Sequence, residues 1–435
     1  MDAKHAPRST PPTPAPTNTP SRTVLLTGAT GFVGGELLLR LMARDERLIL
    51  CLVRAESDQA AKERGEARLA ALLGREPRAD ESKRIEWIAA DLEEANAGLS
   101  EAARRRVTQA VAEIFHCAAS VEFDLPLADA HRINVGGVEA LLTLARDAGP
   151  NFRRFHHVST AYVAGRASGR VKANQIPTDH ARNFRNTYER TKARAERLLR
   201  AQTEIPVSIY RPSIIAGDTR TGRTDNWNVL YVPMRQIVRG RLPFISRGGK
   251  AIADTVGVDF VVDGIVALAE RENARIQAFH LTADHLAFDI ERYLMHCNRA
   301  ASMIGQKGGT RSVSPLSWSF RVGLVKAMAY APSWLGSLKK IGVATRRGLK
   351  SFAPYLEYTR VNVEFDAQWE HDFLAYAGIH MPDPDIYLER IIDFAIEQDF
   401  GAASAPMPVE DLYKDMPLPV PAEPKHFQLP VAAAS

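Results

Sequence analysis

T-G-A-T-G-F-V-G, residues 27–34, is the stretch whose reading decides the fold. It follows a short apolar run at 24–26 and passes directly into a leucine-rich segment, so it reads as a β-strand turning at once into a helix. Gly28 permits the tight turn, Gly31 lets the backbone approach a pyrophosphate, and Gly34 lets the helix sit close to the strand. The helix N-terminus would then face the phosphates with unpaired N–H groups and the positive end of its dipole. Three glycines alone are a weak signal, and their plain reading is a turn. Their place between a first strand and a first helix supplies the context that dinucleotide binding requires.

Working outward, apolar runs at 48–53, 85–90, 112–115, 155–158 and 207–210 alternate with longer segments of helical character. Runs of this length separated by helices indicate a parallel sheet covered on both faces. The leucines and Met42 within 34–44 form an apolar helix surface, and 138–144 repeats the pattern. A helix at 259–270 and a last strand at 278–282 complete the expectation: an α/β, Rossmann-type doubly wound parallel sheet over 23–282, with 218–250 contributing to the substrate site. A smaller, mainly helical substrate-binding or lid region is expected over 283–400. Residues 1–22, with S-T-P-P-T-P-A-P-T-N-T-P at 9–20, read as a disordered Pro-rich leader, and 401–435 as an extended Pro/Ala-rich tail.

The 435 residues exceed what one hydrophobic core usually serves, which predicts a large domain with an appendage or two domains. Apolar residues at 45% and charged residues at 25% are ordinary for a globular protein, and a net charge of +5 does not favour nucleic acid as a partner. Cys51, Cys117 and Cys297 are scattered and odd in number, without C-x-x-C spacing. That argues against disulfides and structural zinc and fits a reducing cytoplasm. The leader has no apolar core like that of a secretory signal, and no run of about 18 apolar residues occurs anywhere.

The second apolar run ends in C-L-V-R at 51–54. An acidic residue there holds the ribose hydroxyls of NAD, whereas a cation accommodates a 2′-phosphate, so Arg54 points to NADP(H). Its alternative is a solvated arginine at a strand end. Arg64 or Lys62 on the next helix could assist. Asp91, in A-A-D-L at 89–92, is placed either to accept from an adenine amino group or to cap the next helix. Y-E-R-T-K at 188–192 puts Tyr188 and Lys192 four residues apart, on one face of a helix. An ammonium beside a phenol lowers the phenol's pKa and makes it a usable proton shuttle. Y-x-x-x-K is common by chance. Its weight comes from H-V-S-T-A-Y-V-A-G at 157–165, which delivers hydroxyls to the carboxyl edge of the sheet. Thr160 is the candidate second donor to a substrate oxygen, with Ser159 and Tyr162 as rivals. His156, His157 and His280 have no clustered carboxylates or thiolates around them in sequence, so packing roles are expected rather than metal ligation, and the same holds for Cys117.

In this order the motifs resemble the extended short-chain dehydrogenase/reductase superfamily, and within it the fatty acyl-CoA reductase and thioester reductase branch with its male-sterility type NAD-binding domain. C-L-V-R-A at 51–55, H-C-A-A-S-V-E-F at 116–123, V-S-T-A-Y at 158–162, Y-E-R-T-K-A-R-A-E at 188–196 and Y-R-P-S-I-I-A-G-D at 210–218 carry the resemblance. It implies catalytic roles for Thr160, Tyr188 and Lys192. It implies cofactor contacts from Thr27, Gly28, Thr30, Gly31, Phe32, Val33, Gly34, Arg54, Arg64, Asp91, Leu92, Ala118, Ala119, Tyr188, Lys192, Pro212 and Ser213, and a supporting role for Asn134. The implied reaction is NADPH-dependent reduction of a hydrophobic acyl thioester, on coenzyme A or an acyl carrier protein, to an aldehyde and in a second cycle an alcohol. The alternatives are a ketone or alcohol oxidoreductase of the hydroxysteroid dehydrogenase type, on a scaffold that related sugar epimerases share, and an NADP-sensing regulator without chemistry.

Between 311 and 356 the chain carries Arg311, Arg321, Lys326, Lys339, Lys340, Arg346, Arg347 and Lys350, no acidic residue, and Trp318, Phe320, Trp334, Leu335 and Tyr355. Base mixed with aromatic suits peripheral contact with a membrane, coenzyme A phosphates or an acidic carrier protein. It equally suits a lid whose cations are simply solvated.

Overall fold

Seven of the apolar runs become one sheet: Thr23–Thr27 (β1), Ile49–Val53 (β2), Ile85–Ala89 (β3), Val111–His116 (β4), Arg154–Val158 (β5), Val207–Pro212 (β6) and Ile276–Leu281 (β7). A computed structural model of the protein describes residues 23–402 apart from 243, 247–251, 272–274, 307–308, 314–356 and 359–360. The strand order is β7-β6-β5-β4-β1-β2-β3 and every neighbouring pair is parallel. The chain winds outward from β1 to β3, crosses back to β4, and winds outward the other way. Connections leaving β1 and β4 therefore diverge and open a crevice at the carboxyl edge, with Thr27 and His116 paired at its floor.

Both faces of these strands are apolar because both are covered. Val24, Leu26, Cys51 and Phe115 pack in one layer with helices Phe32–Arg44 and Val258–Ala269. Leu25, Leu50, Ile88 and Ile114 pack in the other with helices Gly137–Asp147 and Thr187–Ala201. Each such side chain, fully buried, contributes about 1.5–3 kcal/mol. Helices Ile290–Met303, Gln368–Tyr376 and Pro384–Glu397 add Tyr293, Phe373, Tyr387 and Ile391 to the first layer, so the C-terminal helices extend the sheet's own core. Polar ties reinforce the contact: the His280 amide donates to Glu370 Oε1 at 2.9 Å, and the Tyr387 hydroxyl donates to the Thr255 carbonyl at 3.0 Å.

Of the basic and aromatic stretch, Arg311 lies in the short strand Arg311–Val313. Arg321, Lys326, Lys339, Lys340, Arg346, Arg347, Lys350, Trp318, Phe320, Trp334, Leu335 and Tyr355 lie outside the described residues, as do the leader at 1–22 and the tail from 403. Among the described residues, no helix is long and apolar enough to cross a membrane, and no group of three or more His, Cys, Asp or Glu side chains is placed to hold a metal ion.

Candidate active site

The turn after β1 has the backbone shape its glycines suggested. Gly28 sits at φ +76°, where a side chain would be strained, and a Cβ there would stand 2.8 Å from the Ala118 backbone nitrogen. A Cβ on Gly34 would collide with the Gly28 carbonyl, because helix Phe32–Arg44 packs against the turn itself. Gly31 is the N-cap of that helix, and no side chain caps it. The first turn therefore presents backbone donors to the cleft, which fits a pyrophosphate.

The cleft has a volume of about 1260 Å³ and runs along the carboxyl edge of the sheet. Of the residues anticipated as cofactor contacts, Gly28, Thr30, Gly31, Phe32, Val33, Gly34, Arg54, Arg64, Asp91, Leu92, Ala118, Ala119, Tyr188, Lys192, Pro212 and Ser213 line it, and so does Thr160. Thr27 does not. It is buried, with its hydroxyl 2.8 Å from His116 Nδ1 and accepting from the Ala118 amide at 3.2 Å, so it ties β1 to β4 beneath the cleft. Arg54 is 71% exposed and reaches Glu93 at 3.5 Å, while Arg64 donates to the Arg54 carbonyl at 2.9 Å. Lys62 is exposed and is not part of the lining. Asp91 Oδ1 accepts from the Glu93 amide at 3.0 Å and so stabilises the turn after β3; it does not cap the next helix, whose N-cap is Glu94.

At the other end, Thr160 begins the turn after β5. Its hydroxyl accepts from the Tyr162 amide at 3.2 Å and donates to the Pro212 carbonyl at 3.4 Å. The rivals are engaged elsewhere. Ser159 donates at 2.6 Å to Glu196, a fully buried carboxylate held by Arg211 through Nε at 2.9 Å and Nη2 at 2.6 Å. Tyr162 is buried against Tyr358 and Phe365. Burial outweighs all other influences on Glu196 taken singly, yet the Arg211 charge and its hydrogen bonds keep the carboxyl below its ordinary pKa. This pair joins helix Thr187–Ala201 to β6 and so fixes the helix carrying Tyr188 and Lys192 on the sheet. Asn134 holds it from the other side: Nδ2 donates to Thr191 Oγ1 at 3.0 Å and to the Ser120 carbonyl at 3.1 Å.

The electrostatics of the Tyr/Lys pair differ from expectation. Lys192 is buried, and its ammonium turns to the end of β5, donating to the Val158 carbonyl at 2.8 Å and lying 3.3 Å from His157 Nε2. Desolvation lowers it to about 8. Tyr188 is not lowered. Loss of water pushes its phenol up to about 12, opposed by the neighbouring Thr160 hydroxyl and reinforced by the Glu189 charge. At neutral pH the phenol keeps its proton.

His156 and His157 are fully buried and held well below the usual imidazole range by desolvation, and burial takes His116 and His280 down to about 3. Cys51 and Cys297 are buried. Cys117 lines the cleft, but burial raises its thiol to about 12, so it is no thiolate at neutral pH. Sequence reasoning did not single out Phe123, Asp225, Asn226, Asn228, Val229, Val232 and Tyr358, which line the cleft, or the buried Glu189. Phe123 closes the 116–123 motif and 225–232 fall in the stretch expected at the substrate site, while for Glu189 the signal is a glutamate three residues after Asn186, the pattern of a helix cap.

The male sterility protein family, an NAD-binding family, matches residues 26–265 of the chain, which span the glycine turn, Thr160, Tyr188 and Lys192. The chain belongs to this family. Fatty acyl-CoA reductase 1 of Homo sapiens is 31% identical over 283 residues, covering 57% of this chain and 54% of its own length. A linear gramicidin synthase of Brevibacillus parabrevis is 33% identical over 266 residues, covering 59% of this chain and 5% of that protein. The chain thus spans about half the length of the first relative and a small part of the second. Among solved structures, the terminal R domain from the myxalamid PKS-NRPS biosynthetic pathway superposes with a TM-score of 0.72 at 24% identity, covering 89% of this chain and 94% of that one. The likeness to the R domain shows that the two chains share a fold.

Proposed function

We propose that the protein is an NADPH-dependent reductase of hydrophobic acyl thioesters, carried on coenzyme A or an acyl carrier protein, yielding the aldehyde and, after a second hydride, the alcohol. One observation carries this reading: a single cleft is lined by the uncapped glycine turn, by Thr160, Tyr188 and Lys192, and by the apolar and aromatic side chains Phe123, Val229, Val232 and Tyr358. Residues 23–282 form the dinucleotide half in this reading, and 218–250 with 283–400 the substrate half. The relatives named fatty acyl-CoA reductase support a thioester substrate.

Gly28, Gly31 and the helix start would hold the pyrophosphate, with Ala118 and Ala119 along its other side, while Arg54 and Arg64 offer cations to a ribose 2′-phosphate. Bound NADPH would supply the hydride. Thr160 and Tyr188 donate hydrogen bonds to the thioester oxygen as negative charge develops on it, in a site where few waters compete. A phenol held near 12 keeps its proton while the thioester is reduced; when a second hydride reaches the aldehyde, it gives that proton to the alkoxide and is reprotonated from solvent. Re-formation of the carbonyl breaks the carbon–sulfur bond, and the departing thiolate takes a proton from solvent. Lys192, positively charged below about 8, would hold the ribose hydroxyls beside the nicotinamide.

The test is to mix the purified chain with NADPH and long-chain acyl-CoA, and to follow cofactor absorbance and free thiol together. Equal loss of cofactor and gain of thiol is the expected result. Consumption with ketones alone would assign the hydroxysteroid-type reaction, and binding without turnover a regulator.

A further inference from the structure

Tyr358 lies 169 residues beyond Glu189, yet its hydroxyl donates to Glu189 Oε1 at 2.9 Å and accepts from Asn186 Nδ2 at 2.9 Å. Those partners are the two halves of the cap on helix Thr187–Ala201. Asn186 Oδ1 accepts from the Glu189 amide at 2.9 Å, and Glu189 Oε2 accepts from the Arg185 amide at 2.9 Å. Tyr188 is the second residue of this helix, so its direction depends on a turn whose N–H groups have no intrahelical partners. The ring of Tyr358 stacks on Phe123, with centroids 5.3 Å apart and planes 26° apart, and Phe123 lies 5.9 Å from the Tyr188 ring. All three rings line the cleft.

We propose that Tyr358 is a positioning and specificity-determining residue of this site: its hydroxyl fixes the cap that aims Tyr188, and its ring, backed by Phe123, narrows the space beside the reacting carbonyl in favour of unbranched acyl groups. The inference rests on the reading of Tyr188 as the donor to that carbonyl. Glu189 is fully buried, so loss of the Tyr358 hydroxyl leaves Oε1 with only the longer contact from Arg185 Nη1, at 3.3 Å, and weakens the hold on the cap. The stacked pair is a rigid wall, since neither ring can turn without losing the other's face.

Tyr358→Phe and Tyr358→Leu in the full chain separate the two parts. Tyr358→Phe keeps the ring. It should speed hydrogen exchange of the 187–192 amides and lower kcat about tenfold, the loss expected for one hydrogen bond to a charged group, with KM and NADPH affinity within about twofold. Tyr358→Leu should also raise the activity ratio of α-methyl-branched to unbranched acyl-CoA by about tenfold, the usual yield of space for one methyl group. Unchanged exchange and kcat in Tyr358→Phe would overturn the positioning role, and an unchanged ratio in Tyr358→Leu the specificity role. A wild-type chain that turned over ketones and no thioester would overturn the proposed reaction instead. The exchange readout would still decide the cap.

Discussion

The glycine turn and the aromatic wall lie at opposite ends of one cleft and are made in opposite ways. Residues 27–34 form the turn consecutively, and their work is done by backbone: a positive φ at Gly28, a close approach at Gly34, uncapped donors at the helix start. Phe123, Tyr188, Val229 and Tyr358 come from four separate stretches, and their work is done by side chains whose placement depends on every layer beneath them. The contrast teaches that changes at the turn act on folding and cofactor binding together, while changes at the wall act on chemistry with the fold intact.

Tyr188→Phe is the strongest way to test that separation. It should lower turnover about 10²–10⁴-fold, the usual range for a lost proton-transfer or oxyanion donor, with NADPH affinity and melting temperature unchanged. Parallel loss of cofactor binding would mean that the two ends are not separable. Gly34→Ala is the converse. Its Cβ meets the Gly28 backbone, which has no rotamer with which to yield, so a destabilisation of about 1–3 kcal/mol should appear in thermal melts together with weaker NADPH binding.

A smaller effect follows from Lys192. Its lowered value means that the ammonium is lost as pH rises through about 8, so kcat/KM should fall about tenfold per pH unit above that point. Stability changes in the opposite sense. The folded chain binds fewer protons at this lysine than the unfolded chain does between about 8 and the ordinary 10.5, so Lys192 makes folding more favourable as pH rises through that window. A kcat/KM profile flat to pH 10 would return the lysine to its ordinary value. Arg54→Asp sharpens the turn end with the smallest effect, since Arg54 is well exposed: the NADPH over NADH preference should drop about tenfold, and no change would move the phosphate contact elsewhere.

The fold was legible because strand and helix periods are written in near neighbours. All seven sheet strands stood out as apolar runs, since burial on both faces makes most positions of a strand apolar. The site was legible in identity and less so in state. Thr160, Tyr188 and Lys192 come together as their spacing and strand-end context implied, whereas the direction of the Tyr188 shift was misjudged. Spacing places two groups on one helix face; it does not say that the ammonium will turn to the Val158 carbonyl, or that burial will dominate the phenol. Thr27 belonged to the motif but faces inward, because successive residues of a strand point to opposite sides.

The sequence by itself determined the turn after β1, the run of parallel strands and the helix that carries Tyr188 and Lys192, all set by residues within a few positions of each other. Tertiary structure decided the protonation of Tyr188 and Lys192, the buried Glu196–Arg211 tie, and the arrival of Tyr358 on the helix cap. Dihedral preferences and apolar periodicity act along the chain, whereas desolvation and charge act through space. Through-space effects take their size only when remote segments have packed.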